Sequence, residues 1–271
     1  MTPSAFEDTL VVVPAYNEER SIGAVVGALV TRCYEVCVID DGSTDETAAR
    51  AELAGANVIA HPATLGRGRA LRTGFAYALG RSFHRVAVVD GDGQHDVRDV
   101  AALLYCMEET DSDFVIGSRF IHPAGTYEIS AFRRLAMRVV TSRVSSATGA
   151  DLTDSTSGFC AVRSPLLNQF AISYPTTFLA QTAGVLTKTH LSGWRVSETA
   201  VRMSRRRYGK PKTGPIKSAW YLLAVLLRIE IVYWHHVLRS RDPTSAYQQP
   251  MPAAAANDQF TYQARTSTTI G

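Results

Sequence analysis

The sequence is poor in cysteine and has no long hydrophobic run. Its 271 residues include four cysteines, Cys33, Cys37, Cys106 and Cys160, and no cluster of histidine and cysteine accompanies them. Neither a zinc site nor a disulfide framework is therefore expected. The first residues lack the basic segment and apolar run of a signal peptide, so we expect a cytoplasmic protein.

A dinucleotide-binding motif is also missing. The first apolar run, residues 10–13, is followed by PAYNE and not by G-x-G-x-x-G, which disfavours a nicotinamide-dependent dehydrogenase. The formal net charge is only +3, yet lysine and arginine are concentrated between Arg202 and Lys217. Such a basic patch favours a phosphate-rich or anionic partner, or it is a solvated face. We expect no nucleic-acid partner.

What the sequence does contain is an alternation of apolar runs and amphipathic stretches. The runs predict strands near residues 10–13, 36–39, 57–61, 85–90 and 113–120. The stretches between them predict helices at 18–30, 43–55, 66–79 and 97–107. Later we expect a helix at 132–147, a short strand after the polar loop DLTDSTSG, a strand at 194–203 and a helix at 217–239. This pattern is typical of an α/β fold with a mostly parallel sheet flanked by helices.

Polar clusters follow four of the predicted strands. They read AYNE, DDGS, DGDGQ and GSR. In a parallel sheet covered on both faces, ligands bind outside the carboxyl ends of the strands, where these clusters would meet. This convergence predicts one binding site at that edge, and it carries more weight than any single motif.

Asp90 and Asp92 lie at the end of the fourth predicted strand. Alternate residues of an extended segment face the same way, so both carboxylates can point into one small volume. Two such charges repel each other, and a divalent cation relieves the repulsion. Oxygen ligands suit Mg²⁺ or Mn²⁺; Gln94 would add an oxygen, and Gly91 would let a ligand approach closely. The alternative is a turn with capping acids.

Other side chains at this edge suit a nucleotide. Asp40 and Asp41 can accept hydrogen bonds from a base or a ribose. Tyr16 can pack against a base, and Glu18 can accept from it. Three arginines can meet phosphates: Arg67, Arg69 and Arg119. Each residue also has an alternative role. The two aspartates can form a turn, and the arginines can be solvated surface residues.

Six stretches, taken in order, resemble the family 2 glycosyltransferases of the GT-A fold. They are VVVPAYNE, VIDDGSTDET, LGRGRALRTGF, VVDGDGQHD, VIGSRF and DSTSGF. More narrowly, residues 9–215 are similar to the dolichyl- and polyprenyl-phosphate sugar synthases. The resemblance implies a metal-dependent, inverting glycosyltransferase. It would move a sugar from a nucleotide-sugar of the GDP-mannose or UDP-glucose type to a polyprenyl or dolichyl phosphate.

The resemblance also implies roles for individual residues. We expect the donor to meet Pro14, Tyr16, Glu18, Asp40, Asp41, Arg67, Gly91 and Arg119. We expect Asp90 and Asp92 to bind the metal, Mg²⁺ or Mn²⁺, with Gln94 in the same coordination shell. The expected catalytic residues are Asp90, Asp92 and Arg119, and Arg119 would face the donor phosphates. Arg67 stands where the family's Gly-Lys-Gly loop has lysine, a change that keeps the charge and allows bidentate contact.

The acceptor phosphate is expected to meet Arg133, Ser157, Arg206 and Lys212. The last two lie in a stretch that in these synthases carries Arg, Gly and then Ser-Lys, and Pro211 replaces the serine here. A lipid phosphate, with a second pKa of about 6, is already mostly ionised near neutral pH and needs no strong general base. If the acceptor is instead a hydroxyl of a soluble or glycan acceptor, Glu198 and Asp154 are the candidate bases.

The end of the chain bears on the membrane. We divide the sequence into a glycosyltransferase domain at 1–215, an amphipathic helix at 216–240 and a disordered tail at 241–271. An apolar run at 219–227 is too short to span a bilayer. We expect an interfacial helix on the cytoplasmic face, with aromatic residues at headgroup level: Trp220, Tyr221, Tyr233 and Trp234. The alternative is a core helix, and any tighter anchoring would come from a partner protein.

Two further alternatives remain open. One is a module that binds a nucleotide-sugar without catalysis. The other is a processive polysaccharide synthase, which usually carries a Q-x-x-R-W element and several spanning helices. The sequence shows neither feature, so this second alternative is disfavoured.

Overall fold

The computed structural model describes residues 6–121, 131–176, 182–204 and 215–240. Within these ranges, the side chains of Arg133, of residues 215–223 and of residues 239–240 lie outside the description. The tail that was expected to be disordered, 241–271, also lies outside it.

A seven-stranded sheet forms the centre of the described chain. The strands are β1 (Thr9–Ala15), β2 (Glu35–Asp40), β3 (Asn57–Ala60), β4 (Arg85–Val88), β5 (Phe114–Ser118), β6 (Cys160–Arg163) and β7 (Val196–Ala200). Their order across the sheet is β3-β2-β1-β4-β6-β5-β7. Neighbouring strands run parallel except β6, which is antiparallel to both β4 and β5. The predicted mostly parallel sheet is confirmed.

Helices cover both faces of the sheet. They are α1 (Ile22–Val30), α2 (Thr47–Leu53), α3 (Arg67–Gly80), α4 (Val100–Glu109), α5 (Ala131–Thr148), α6 (Leu166–Ser173), α7 (Thr182–Leu191) and α8 (Pro215–Ser240). Two apolar clusters result, one on each side of the sheet. Strands buried on both faces read as continuous apolar runs, which is why β1 contains four consecutive buried aliphatic residues.

Glycine brings α3 against the sheet. A Cβ atom on Gly74 would lie 2.4 Å from Cγ1 of Val12, closer than two carbon atoms can approach. Gly68, near the start of the same helix, would clash with the carbonyl oxygen of Pro175 at 2.3 Å. These two close approaches let α3 pack directly against β1 in its middle and against the backbone of Pro175 in its first turn.

Three features of the fold differ from the sequence-based expectations. The helix expected to be capped by Ser43 or Thr44 begins only at Thr47, after a bend at residues 44–46. Helices α6 and α7 were not predicted: α6 has only eight residues, and α7 contains three threonines and a glycine, which weaken a helical signal. The antiparallel direction of β6 was also not predicted, since an apolar run carries no sign of direction.

The last described helix, α8, matches the helix predicted at 217–239. It buries Val225 and Ile229 in the core and packs against α5 and α7. Its Glu230 forms a salt bridge with Arg143 of α5, in which Nη2 lies 2.9 Å from Oε2. Across the ranges that the structure describes, we find no helix with the length and apolarity needed to traverse a bilayer.

Candidate active site

A cavity of about 630 Å³ opens at the carboxyl ends of β1, β2 and β4. The start of α3 forms another wall. Eight residues proposed from the sequence line it: Pro14, Tyr16, Glu18, Asp41, Arg67, Asp90, Gly91 and Asp92. The predicted convergence of polar clusters at one edge of the sheet is therefore present in the structure.

The loop after β1 is tied to the turn after β2. The backbone N–H of Asn17 donates to Oγ of Ser43 at 2.9 Å, and that of Glu18 donates to Oγ1 of Thr47 at 2.8 Å. Asn17 itself adopts a left-handed conformation, with φ at 54°. These contacts fix the segment that presents Tyr16 and Glu18 to the cavity.

Gly91 packs tightly against protein as well as lining the cavity. A Cβ atom there would lie 3.1 Å from Cδ1 of Ile22 and 3.3 Å from Cβ of Ala15. Oγ of Ser21 donates to the Gly91 carbonyl oxygen at 2.8 Å. The glycine thus allows the loop after β4 to sit directly on β1 and α1.

Asp41 joins the end of β2 to the start of α3. Its Oδ1 accepts from the N–H of Leu65 at 2.9 Å, and its Oδ2 accepts from the N–H of Gly66 at 2.7 Å. Nδ1 of His61 lies 2.9 Å from the same Oδ1. The sequence patterns assigned no role to His61, although it follows β3 at this edge of the sheet and its position was the available signal.

Asp90 is paired with Arg67 across the cavity. Nε and Nη2 of Arg67 donate to Oδ1 of Asp90 at 3.1 and 3.0 Å, and Nη2 also donates to the carbonyl oxygen of Gly158 at 3.0 Å. Burial works against the charge of Arg67, but the neighbouring groups together, the Asp90 carboxylate first among them, outweigh burial and raise the pKa of Arg67. A Cβ atom on Gly158 would lie 2.6 Å from Nη2 of Arg67, so a side chain there would displace the guanidinium from this position.

The loop after β4 is held by its own side chains. Oδ1 of Asp92 accepts from the N–H of Gln94 at 3.0 Å. Nδ1 of His95 accepts from the N–H of Asp90 at 3.2 Å, and the ring stacks on Phe159 with centroids 4.7 Å apart. Burial lowers the pKa of His95, against the opposing effect of the two aspartates, which agrees with Nδ1 acting as an acceptor. The sequence patterns gave His95 no role.

Arg119 is not among the residues that line the cavity. Its Nε and Nη2 donate to the two carboxylate oxygens of Asp154 at 2.6 and 2.8 Å, and Nη2 also donates to Oγ1 of Thr156 at 2.7 Å. Only 7% of the Arg119 side chain and none of the Asp154 side chain is exposed. The guanidinium of Arg119 is thus hydrogen-bonded to the buried Asp154 carboxylate, and its expected contact with donor phosphates stays a prediction.

Glu198 supports the same pair from β7. Its Oε1 accepts from the N–H of Asp154 at 2.9 Å, and its Oε2 accepts from the N–H of Thr153 at 2.7 Å. Both candidate bases of the sequence, Glu198 and Asp154, therefore hold the loop before β6.

The model of the family described as glycosyl transferase family 2 matches residues 10–170. The chain belongs to this family. The matched segment begins in β1 and ends in α6, so it contains the three strands whose ends form the cavity. The glycosyltransferase predicted from the motifs is confirmed at the level of the family.

Two relatives bear names that agree with the narrower resemblance to polyprenyl-phosphate sugar synthases. A polyprenol monophosphomannose synthase from Mycolicibacterium smegmatis is 33% identical over 174 residues, which cover 61% of this chain and 65% of the relative. A dodecaprenyl-phosphate galacturonate synthase from Rhizobium johnstonii is 26% identical over 229 residues, which cover 79% of this chain and 64% of the relative. The chain spans less than two thirds of the length of either relative.

A solved structure shows the same fold. Glucosyl-3-phosphoglycerate synthase from Mycobacterium tuberculosis, in complex with Mn²⁺ and UDP-glucose, superposes with a TM-score of 0.63 at 21% identity, covering 85% of this chain and 84% of that chain. The predicted GT-A architecture of the family 2 glycosyltransferases is therefore confirmed.

The family's expected divalent cation can be tested against the residues present. Within the described ranges, no three side chains of His, Cys, Asp or Glu cluster as a closed metal site. Asp90 and Asp92 do line one cavity together, and both are oxygen donors. Two carboxylates suit Mg²⁺ or Mn²⁺ when phosphates and water supply the remaining ligands, so the donor set fits an ion that binds with its substrate.

Three other predicted site residues do not line the cavity. Nε2 of Gln94 donates to the Ser204 carbonyl oxygen at 3.1 Å. Oδ1 of Asp40 accepts from the N–H of Ser43 at 3.0 Å, which closes the turn after β2. Ser157 is buried, and its Oγ accepts from the N–H of Phe159 at 3.3 Å. Their expected contacts with metal, donor and acceptor stay predictions without support from position.

The predicted acceptor cations are mostly outside the described residues. Arg206 and Lys212 fall in the segment 205–214, and the side chain of Arg133 on α5 is likewise not described. Their role with the acceptor phosphate stays a prediction.

Proposed function

We propose that this chain is a metal-dependent, inverting glycosyltransferase that moves a sugar from a nucleotide-sugar to a polyprenyl or dolichyl phosphate. The donor would be of the GDP-mannose or UDP-glucose type. The observation that carries the proposal is the single cavity in which Tyr16, Asp41, Arg67, Asp90 and Asp92 meet. Aromatic, anionic and cationic groups stand there in the combination that a base, a ribose and a diphosphate require.

The chain's own groups would bind the donor in sequence along the cavity. Tyr16 offers a ring against which a base can pack. Asp41 offers a carboxylate oxygen to a base or ribose donor group. Arg67 offers a guanidinium, which binds phosphate with charge-assisted hydrogen bonds. Its present partner, Asp90, keeps it at the cavity wall.

Asp90 and Asp92 would hold Mg²⁺ or Mn²⁺. When bound, such an ion neutralises negative charge on a leaving diphosphate. The exposed third of the Asp90 side chain faces the cavity that Asp92 shares. His95 holds the backbone at Asp90, and the Asp92 carboxylate is oriented by the N–H of Gln94. The chain thereby keeps both carboxylates in position before any ligand arrives.

The hydrogen bonds of the two candidate bases, Asp154 and Glu198, favour a phosphate acceptor. Asp154 is fully buried against Arg119, and Glu198 accepts from two backbone N–H groups of the neighbouring loop. A general base must reach the proton that it removes. An acceptor phosphate that is already ionised needs no such group, which favours it over a hydroxyl acceptor.

Exposed apolar side chains support the proposal that the chain binds to a membrane surface. On α8 they recur at helical spacing: Leu227, Ile231, Trp234 and Leu238. The exposed arginines Arg134 and Arg138 of α5 would lie beside anionic headgroups. These side chains support a peripheral position on the membrane. We propose that it is on the cytoplasmic face, where a membrane-anchored partner protein would supply any tighter attachment.

A radiolabelled-donor assay tests the proposal. The purified full chain is incubated with labelled GDP-mannose or UDP-glucose, Mn²⁺ and short-chain polyprenyl phosphate, and the organic phase is counted. Label in the organic phase is expected. Label only on soluble acceptors would favour transfer to a hydroxyl, and donor binding without any transfer would favour a binding module.

A further inference from the structure

His61 is fixed at both of its ring nitrogens. Its Nδ1 lies 2.9 Å from Oδ1 of Asp41, and its Nε2 lies 3.0 Å from Oγ1 of Thr73 on α3. The side chains of His61 and Asp41 are 9% and 6% exposed. Because an ionised carboxylate can only accept, Nδ1 carries the proton of the bond to Asp41. The ring therefore holds one oxygen of Asp41 in a set direction.

The existing hydrogen bonds of Asp41 leave little capacity for a ligand. A carboxylate offers about four acceptor positions, two on each oxygen. Oδ1 already accepts from His61 and from the N–H of Leu65, and Oδ2 accepts from the N–H of Gly66. Counting only the residues that the structure describes, one acceptor position remains, on Oδ2, in a carboxylate that lines the cavity.

Nucleobases differ in the donors that they present to such a group. Guanine has two neighbouring donors, N1–H and N2–H, which pair with a carboxylate whose two oxygens are both open. Uracil has a single donor, N3–H, between two carbonyl oxygens. On Asp41, guanine would leave one N–H without its carboxylate partner, and a buried unpaired donor is costly. A single N–H matches the one position that remains.

We propose that His61 is a positioning residue that makes Asp41 discriminate between donor bases, in favour of uracil over guanine. The inference rests on the proposed function, because it assumes that the cavity takes a nucleotide-sugar. His61 acts through Asp41: it is not among the residues that line the cavity. The donor class is thereby narrowed from nucleotide-sugars in general to those carrying a uracil-type base.

Calorimetric titration of the unaltered full chain with UDP and with GDP, each with Mn²⁺, tests the selection directly. UDP is expected to bind about tenfold more tightly or better, the cost of one unpaired donor. Equal affinities, or tighter binding of GDP, would overturn the inference and leave the glycosyltransferase proposal standing. If neither nucleotide binds and no sugar is transferred, both proposals fall.

Variants of His61 test its part. His61→Ala removes the donor to Oδ1, and His61→Asn keeps an amide N–H on a short side chain. The alanine variant is expected to raise KM for the UDP-sugar and the Kd of UDP about tenfold, with little change in kcat. The asparagine variant is expected to recover most of this loss. Thr73→Val leaves the Nδ1 bond in place and is expected to change Kd by less than about threefold.

These measurements distinguish a role of His61 in positioning Asp41 from a role in stabilising the fold. A loss confined to kcat, or no recovery in His61→Asn, would contradict the assigned role. Thermal unfolding of each variant is measured alongside. If His61→Ala does not fold, the UDP and GDP affinities of the unaltered chain still decide the proposed selection.

Discussion

The carboxyl edge of the sheet and the exposed sides of α5 and α8 differ in the polarity of their side chains. At the edge, charged side chains have fixed partners, as in the pairs of Asp90 with Arg67 and Asp154 with Arg119. On α5 and α8, large apolar side chains are exposed instead: Phe132, Leu135, Val139, Leu227, Ile231, Trp234 and Leu238. The first region is arranged by hydrogen bonds, and the second carries an apolar surface.

The difference shows how the two regions would meet their ligands. Charged groups held in position before binding avoid the cost of being ordered when the ligand arrives. An exposed apolar surface gains free energy only when another apolar surface covers it. We expect mutations at the edge to change turnover or folding, and mutations on the exposed helical sides to change association.

The largest expected effect is on turnover, from Asp92→Ala. The change removes one of the two carboxylates proposed to hold the cation, and we expect kcat to fall at least about 100-fold. Steady-state transfer assays with saturating Mn²⁺ measure it. Asp96→Ala is the matched control, since Asp96 lies in the same loop but binds Arg98 rather than lining the cavity. Similar losses in both variants would contradict the assignment.

Asp154→Asn is expected to act on folding. Asp154 is fully buried, and the change removes the negative charge that it places beside the buried guanidinium of Arg119. The free energy of unfolding should fall by about 3 kcal/mol in urea titrations. Glu46→Gln breaks the exposed pair with Arg50 and should cost less than about 0.5 kcal/mol. A stable Asp154→Asn protein would show that the pair does not support the fold.

Arg67→Met is expected to weaken nucleotide binding about tenfold by removing a charge-assisted contact to phosphate. Calorimetry with a nucleoside diphosphate and Mn²⁺ measures the change. Arg69→Met serves as the control, because Arg69 is exposed two residues further along α3 and does not line the cavity. Equal weakening in the two variants would point to a general electrostatic effect in place of a site contact.

The double change Leu227→Ser and Leu238→Ser breaks the apolar surface of α8. Binding to vesicles of phosphatidylcholine and phosphatidylglycerol is expected to fall about tenfold, since membrane affinity follows the apolar area that is buried. Sedimentation of the vesicles gives the bound fraction. Leu53→Ser removes an even more exposed leucine from α2 and should leave binding unchanged. No difference between them would remove the support for a membrane-facing α8.

The smallest expected effect concerns the contact between α5 and α8. Hydrogen bonds from Arg143 lower the pKa of Glu230, so the pair stabilises the fold above the ordinary pKa of glutamate and is lost as the pH falls through the lowered pKa. Glu230→Gln should cost under about 1 kcal/mol at neutral pH, and the difference should vanish in acid. Urea unfolding at both pH values checks this, and a constant difference would contradict it.

The sequence predicted most of the fold because its signals are local. Apolar runs of strand length and helical spacing in Ile22, Val25 and Val26 are read directly from the chain, and the helices and strands that they predicted are present. Helices α6 and α7 were missed because they are short or rich in residues that favour helix weakly. The direction of β6 depends on how the chain returns to the sheet, which no run of residues encodes.

The candidate site was predicted in its location and in part of its membership. Strand ends in a parallel sheet share one edge, so the sequence alone placed Asp41, Asp90 and Asp92 together. It did not reveal that Gln94 binds Ser204 or that Arg119 binds Asp154, because these partners lie far apart along the chain.

What the sequence by itself determined is therefore the family, the alternation of strands and helices, and the edge at which the polar clusters collect. Only the tertiary structure decided which charged side chains line the cavity and which form ion pairs with one another. The physical reason is that periodicity is a property of neighbouring residues. The partner of a side chain such as His61 depends instead on which distant segments folding brings within hydrogen-bond distance.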